Sequence, residues 1–187
     1  FNAMKGYTYQ PDKAKALVKS YMEETGHMSP SITISTNSQY LDLCEYIQRE
    51  VQKTGLQVNI DVMPPSTLRQ TKVNGQLSIF RGSWVADYPD AENYLFIFHS
   101  KNFSPNGPNY THYSSKEFDD LYERSIQITD NVKRRALYQK MDSLVMASAA
   151  VIPLYYDEVV RFTQKNVSGL GINPINHLDL KQVKKSK

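Results

Sequence analysis

The stretch that decides the fold is SITISTNSQYLDLCEYIQREVQKTGLQVNIDV, residues 31–62. Its two ends alternate apolar and polar residues, Ile32 with Ile34 and Val58 with Ile60, which is the period of a half-buried β-strand. Between these ends, apolar residues recur at the spacing of an amphipathic helix, namely Tyr40, Cys44, Ile47 and Val51. A strand, a helix and a second strand in this order predict a crossover between two parallel strands.

The residues on both sides of this stretch continue the alternation of helices and strands. Pro11 stands at the first-turn position of a predicted helix that ends before Gly26. Ser66 is expected to cap a short helix that runs through Val73, and residues 77–85 predict a third strand. The predicted fold class is therefore α/β, with a mixed sheet flanked by helices.

The second half of the chain predicts two helices followed by two extended segments. Ser114 to Glu117 has the spacing of a capping box, and Asp130 is expected to cap the next helix. Residues 151–156 and 159–164 predict strands, while residues 102–110 predict a turn-rich loop. Because the chain shows no internal repeat and no low-complexity linker, it predicts one domain.

Composition and charge exclude several classes of protein. The formal net charge is +3 over 187 residues, and the lysines are spread out except in a run at 181–187, so nucleic acid is not an expected partner. No apolar stretch reaches the ~20 residues of a membrane-spanning helix, and the first residues lack the pattern of a signal peptide. Cys44 is the single cysteine, and its place on the apolar helix face predicts a small buried side chain.

The residues that carry the most chemistry follow the predicted third strand, in GSWVADYPDAENYL, residues 82–95. This segment holds the only tryptophan, Trp84, and three carboxylates, Asp87, Asp90 and Glu92. Open α/β sheets bind ligands at the carboxyl ends of their strands. A partly shielded carboxylate at Asp87 would attract an ammonium group, with Trp84 as a flat apolar wall. The alternative is that Asp87 and Asp90 only cap the helix that follows.

The same segment resembles a signature of the family 5 solute-binding proteins, which include the dipeptide and oligopeptide receptors of ABC importers. The matching positions are Gly82, Trp84, Ala86, Asp87, Tyr88, Pro89, Asp90, Asn93 and Leu95. Three further segments agree in order and spacing, Gly6 to Lys15, Phe118-Asp119 and Val151 to Tyr156. One departure is Gln10, where the family more often has Asp or Asn as helix cap, and it puts only that cap in doubt.

The resemblance implies a two-lobed receptor of the type II periplasmic-binding-protein fold (cluster C), which closes over its ligand and delivers it to a membrane transporter. Residues 1–187 would be the carboxyl-terminal lobe, residues 151–187 its returning hinge and terminal strands, and the amino-terminal lobe would lie outside this chain. The implied ligand is a di- or oligopeptide. The implied partners are ABC transporter permease subunits and the missing lobe, in the periplasm or on the lipid-anchored outer surface of a bacterium. No enzymatic activity, cofactor or metal is implied.

The resemblance also implies roles for individual residues. The expected ligand contacts are Asp87, Trp84, Val85, Ala86, Arg81 and Tyr88. Asp87 would pair with the free amino group of the peptide, and Trp84 would form a wall of the pocket. Val85 and Ala86 would offer backbone groups to an extended ligand, a form of strand addition. Arg81 is a candidate contact for a ligand carboxylate, while an outward structural role is equally open to it.

Three other functions stay open at this point. A receptor of this family would also suit another solute, such as a nickel complex, haem or an oligosaccharide. An enzyme would combine the carboxylates of residues 82–95 with His99 or His112, but these histidines lack the spacing of a metal site. A stand-alone dimerising module is suggested by the aromatic content and by the apolar segments near the end of the chain. If those segments normally pack on the missing lobe, this chain is also expected to self-associate.

Overall fold

The computed structural model describes residues 7–173 and 175–186, and its first half is built on the predicted strand-helix-strand unit. The helices and strands in chain order are α1 (Pro11–Thr25), β1 (Ser31–Thr36), α2 (Leu41–Gln52), β2 (Gln57–Val62), α3 (Pro65–Val73), β3 (Ile79–Phe80), α4 (Glu92–Leu95), α5 (Lys116–Ser125), α6 (Asn131–Ala147), β4 (Val167–Ser168) and β5 (Lys184–Lys185). Short 3-10 helices cover Ser38–Tyr40, Phe96–Phe98 and Ser100–Asn102. Among the described helices, none is long and apolar enough to cross a bilayer.

Strands β1 and β2 pair in parallel, as the alternating pattern predicts, with Ile34 opposite Ile60. Their isoleucine and valine side chains share one face of the sheet, and α2 packs on that face. The helix contributes Cys44, which is fully buried and lies in one cluster with Ile34 and Val58. The prediction of Cys44 as a small buried side chain is therefore confirmed.

The third strand is much shorter than the predicted 77–85, because its partner ends. The sheet has the order β2-β1-β3, and all of its strands are parallel. Ser35 lies opposite Phe80, and the backbone N–H of Arg81 donates to the carbonyl of Ser35 at 3.0 Å. Since β1 ends at Thr36, the backbone beyond Arg81 has no strand to pair with. Residues 81–90 therefore leave the sheet at its carboxyl edge. The α/β fold class is confirmed, but the described strands of this sheet are all parallel, so the prediction of a mixed sheet is wrong.

The second half of the chain forms its own apolar cluster around helices α5 and α6. Phe118 and Met141 are fully buried at its centre. The side chain of Asp130 accepts the backbone N–H groups of Val132 and Lys133, so the predicted cap of α6 is confirmed. The cap of α5 is Ser115, whose hydroxyl accepts the N–H of Phe118, and not the predicted box from Ser114 to Glu117.

Helices α3 and α1 both begin at a proline and have no side-chain cap. Helix α3 begins at Pro65, which has no N–H to satisfy, so Ser66 lies inside the first turn and the prediction that it caps the helix is wrong. Helix α1 begins at Pro11, and the side chain of Gln10 makes no capping hydrogen bond. The helix ends, as predicted, before Gly26, which takes the left-handed conformation at φ 73°.

The segments at 151–156 and 159–164 carry no regular secondary structure and do not form the predicted strands. Neither segment meets a strand partner in the part of the chain that the structure describes, and a strand needs a partner for its backbone hydrogen bonds. Many of their apolar side chains are exposed, Ile152 at 76% and Phe162 at 94%. The end of the chain forms instead a short antiparallel pair of β4 and β5. The assignment of residues 151–187 to hinge and terminal strands stays a prediction.

Candidate functional site

The candidate site is the loop of residues 81–90, which starts at the carboxyl end of β3 and leads into α4. Two cavities of about 390 and 330 Å³ are lined by other residues, near Tyr122 and near Arg161. The loop itself is an open surface, on which Trp84 is half-buried and Asp87 is exposed. This exposure differs from the partly shielded carboxylate that the sequence suggests. A loop of this kind encloses a ligand only when another surface covers it.

Asn93 holds the centre of the loop, a role not assigned to it from the sequence. Its side chain is buried, with 2% exposed, in the first turn of α4. The amide oxygen of Asn93 accepts the indole N–H of Trp84 at 2.8 Å and the backbone N–H of Asp87 at 3.2 Å. One buried oxygen therefore positions two of the predicted ligand contacts relative to each other. The only sequence signal is that Asn93 belongs to the quoted signature.

Two of the three carboxylates in the loop region bind other parts of the chain. Asp90 accepts the backbone N–H of Glu92 at 2.9 Å and the hydroxyl of Tyr138 at 3.2 Å, and it forms an ion pair with Arg134. The Arg134 and Tyr138 contacts connect the loop to α6 across more than forty residues of sequence, so no local pattern predicts them. Asp90 therefore accepts an N–H group in the first turn of α4, but the N-cap residue of that helix is Ala91, so the hypothesis that Asp90 caps it is not confirmed.

Glu92 forms a second connection, to two phenols. Its carboxylate accepts the hydroxyls of Tyr88, in the loop, and of Tyr122, on α5. Burial, together with the hydrogen bond to Glu92, raises the pKa of Tyr122. The same carboxylate raises the pKa of Tyr88 through its hydrogen bond. Burial and the nearby charge of Asp90 raise the pKa of Tyr138 to about 12. A phenol of ordinary pKa is already protonated at physiological pH, and these shifts extend to higher pH the range in which the three hydroxyls donate.

Asp87 differs from Asp90 and Glu92 because its carboxylate makes no contact that stabilises the fold. Within residues 7–173 and 175–186, no hydrogen bond and no ion pair reaches this carboxylate. Its backbone N–H, by contrast, is held by Asn93. The hypothesis that Asp87 caps the following helix is wrong, because the N-cap residue of α4 is Ala91 and the carboxylate of Asp87 accepts no N–H group of that helix. An uncommitted carboxylate on an anchored backbone can accept a charge-assisted hydrogen bond from an external cation.

Val85 and Ala86 lie between Trp84 and Asp87, the two residues that Asn93 anchors, and their backbone groups are free. Their N–H and C=O groups make no hydrogen bond to the described parts of the chain. The Val85 side chain is 70% exposed, so the backbone beside it is not covered by packing. Unpaired backbone groups in such a loop are available to pair with an extended ligand.

Arg81 and Lys72 place positive charge beside the loop, each against an aromatic ring. The Arg81 guanidinium carbon lies 3.2 Å from the centre of the Tyr40 ring. The Lys72 ammonium lies 4.3 Å from the centre of the Tyr110 ring. Burial, and then the nearby charges of Arg69 and Arg81, lower the pKa of Lys72. Neither Arg81 nor Lys72 has an acidic partner within 4.0 Å in the described residues, so their charge is available to an anion.

The groups of the enzyme alternative do not assemble around Asp87. Asp90 and Glu92 are engaged with α5 and α6, as described above. His99 is buried with its Nε2 3.9 Å from Asp119 and 3.8 Å from Glu123, and the Nε2 of His112 lies 2.9 Å from the hydroxyl of Ser104. Across the described residues, no three His, Cys, Asp or Glu side chains are grouped to hold a metal ion.

A parallel sheet flanked by helices is the architecture found in the type II periplasmic binding proteins, which are the structural neighbours of this chain. Residues 1–106 match the family described as "Bacterial extracellular solute-binding proteins, family 5 Middle". Because this match covers more than half of the chain, the chain belongs to the family 5 extracellular solute-binding proteins. The resemblance drawn from the loop signature is confirmed. This is a family of solute-binding proteins and not of enzymes.

Individual relatives match most or all of the chain, but the match covers only part of their own length. The chain is 26% identical over 192 residues to the "Dipeptide-binding protein DppE" of Bacillus subtilis, covering 100% of the chain and 35% of that protein. It is 30% identical over 130 residues to the "Probable deoxycholate-binding periplasmic protein YgiS" of Escherichia coli K12, covering 69% of the chain and 24% of that protein. The chain thus spans about a third or less of these relatives.

A solved structure likewise matches all of this chain with only part of its own length. The periplasmic binding protein DppA from Helicobacter pylori, in complex with the peptide STSA, matches this chain with a TM-score of 0.84 at 26% identity. The match covers 100% of this chain and 36% of that chain.

Proposed function

We propose that this chain is the carboxyl-terminal lobe of a receptor that captures peptides and delivers them to an ABC importer. The observation that carries the proposal is the loop of residues 81–90. It combines an uncommitted carboxylate at Asp87 with free backbone groups at Val85 and Ala86. A carboxylate beside an open stretch of backbone suits the amino end of an extended peptide. The DppE and DppA proteins, whose names and titles describe peptide binding, support this choice of ligand.

Each predicted contact has a role in this proposal. The Asp87 carboxylate binds the ammonium group of the peptide, and Val85 and Ala86 pair with its first residues as an added strand. Trp84 forms an apolar wall, with its indole N–H already satisfied by Asn93. Tyr88, held by Glu92, borders the same surface. Arg81 receives a ligand carboxylate, because its guanidinium edge can donate to an anion while its face lies on Tyr40.

Capture requires the second lobe, because the loop is open on the surface of this chain. In the proposed mechanism the ligand bridges two lobes and binds their closed arrangement more tightly than the open one. That difference shifts the population toward the closed form, which the transporter recognises. Residues 151–187 lead back to the hinge. No covalent bond is made or broken, and the full-length protein works outside the cytoplasm, either in the periplasm or anchored by lipid to the outer surface.

The proposal is tested by native mass spectrometry of the full-length protein, purified without refolding. We expect adducts with the masses of short peptides, which an added tripeptide with a free amino end displaces without being cleaved. An adduct of haem, a nickel complex, an oligosaccharide or a bile acid would replace the peptide assignment with another solute. New fragments of the added peptide would instead indicate an enzyme.

The exposed segment of residues 151–162 leads to a prediction about this chain on its own. If that segment normally packs against the other lobe, its apolar side chains, including Ile152 and Phe162, are free to associate here. We expect the isolated chain to show a higher weight-average mass than one copy by light scattering, increasing with concentration. The full-length protein at the same molar concentration is the control. Equal monomer content in both would contradict the prediction.

A further inference from the structure

The aromatic ring under Arg81 is placed by the turn that follows β1. Tyr40 ends the 3-10 helix of Ser38–Tyr40, and the side chain of Asn37 accepts the backbone N–H of Gln39 at 3.0 Å at the start of this turn. Tyr40 is half-buried, and the Arg81 side chain lies against its ring. The ring therefore belongs to the fixed carboxyl edge of the sheet.

Arg81 is held at both of its ends. Its backbone N–H donates to Ser35 at 3.0 Å, and its guanidinium carbon lies 3.2 Å from the centre of the Tyr40 ring. Stacking on a ring uses the flat face of a guanidinium and leaves the N–H groups along its edge free. A free arginine side chain samples many rotamers. Stacking on a ring removes much of that conformational freedom before any ligand binds.

We propose that Tyr40 is a positioning residue that holds Arg81 ready for a ligand carboxylate, and that it thereby sets the preference of the receptor for ligands with a free acid end. This inference rests on the proposed peptide capture and on Arg81 as the anion contact. Tyr40 acts through Arg81 and need not touch the ligand. The absence of an acidic partner for Arg81 in the described part of the chain means that no internal carboxylate competes for it.

The test compares two probes, trialanine with a free carboxyl end and trialanine amide, by calorimetry on the full-length protein. Tyr40→Leu keeps apolar bulk but removes the aromatic face, and Tyr40→Phe keeps the face. We expect Tyr40→Leu to weaken binding of the free acid by about fivefold, within the range of a partly desolvated cation–π contact, and to leave the amide within about twofold. We expect Tyr40→Phe to bind both probes as the unmodified protein does. In an Arg81→Gln background, Tyr40→Leu should have no further effect.

The possible results of this test distinguish the role of Tyr40 from the role of Arg81 and from peptide capture itself. If Tyr40→Leu weakens both probes equally, Tyr40 serves the fold and the inference is overturned. If Arg81→Gln weakens the free acid but Tyr40→Leu does not, Arg81 keeps its role and the positioning role of Tyr40 is overturned. If the unmodified protein binds both probes with equal affinity, Arg81 does not contact the carboxylate, and the inference fails while peptide capture stands. If neither probe binds, the proposed function itself is contradicted for this peptide class.

Discussion

Replacing Asp87 by asparagine in the full-length protein is expected to weaken binding of a peptide with a free amino end by about 2 kcal/mol or more, or about 30-fold. The carboxylate of Asp87 has no partner in the described residues, so the substitution removes no contact on which this lobe depends. In the closed receptor, however, the peptide ammonium group would be left without its counter-charge in a covered site. Isothermal titration calorimetry with trialanine measures the change directly.

Two controls separate the charge pair from other effects of this substitution. N-acetyl-trialanine carries no ammonium group, so it should bind the unmodified and Asp87→Asn proteins with the same affinity. Asp142→Asn removes an exposed carboxylate from α6, outside the loop, and should leave both affinities unchanged. Trialanine binding that is insensitive to Asp87→Asn would defeat the assignment of Asp87 to the amino end of the ligand.

Replacing Asn93 by leucine is expected to lower the free energy of unfolding by about 2 kcal/mol or more, because it leaves two N–H donors without their acceptor. These donors are the indole of Trp84 and the backbone of Asp87, so the loop should also lose its geometry. We expect trialanine to bind about tenfold more weakly to the folded Asn93→Leu protein, since a displaced contact loses much of its energy. Chemical denaturation and calorimetry give the two quantities.

The matched control for this substitution is Asn109→Leu. Asn109 is also fully buried, and its amide donates to the carbonyls of His99 and Tyr113, outside the candidate loop. Its replacement should destabilise the protein to a similar extent and leave the affinity for trialanine unchanged. If the two variants alter affinity equally, or if Asn93→Leu binds as tightly as the unmodified protein, Asn93 does not organise the site.

The parts of the fold that depend on nearby residues could be predicted from the sequence. The alternation at β1 and β2, the helical spacing around Cys44 and the cap at Asp130 involve contacts within a few residues or between adjacent elements. The length of β3 could not be predicted, because it is set by the place where β1 ends and not by its own composition. The strands expected in residues 151–164 failed for a related reason, since a strand needs a partner and the described chain supplies none.

The location of the site could be predicted from the sequence, but the contacts that hold its residues in place could not. The signature locates Trp84 and Asp87, but it does not reveal that Asn93 connects them. Nor does it reveal that Asp90 reaches Arg134, because the two residues come together only when α6 packs behind the loop. Likewise, the ring of Tyr40 and the guanidinium of Arg81 meet only because β1 and β3 are neighbours in the sheet.

The anchoring of the loop through Asp90, Glu92 and Asn93 affects how ligands would be distinguished. A loop tied to both α5 and α6 does not have to become ordered when a ligand arrives, so little of the entropy of association is spent on it. Peptides of different sequence would then meet the same preorganised surface here. Differences in affinity between them would arise from side-chain pockets and from the work of bringing the two halves together, and dissociation rates would vary more than association rates.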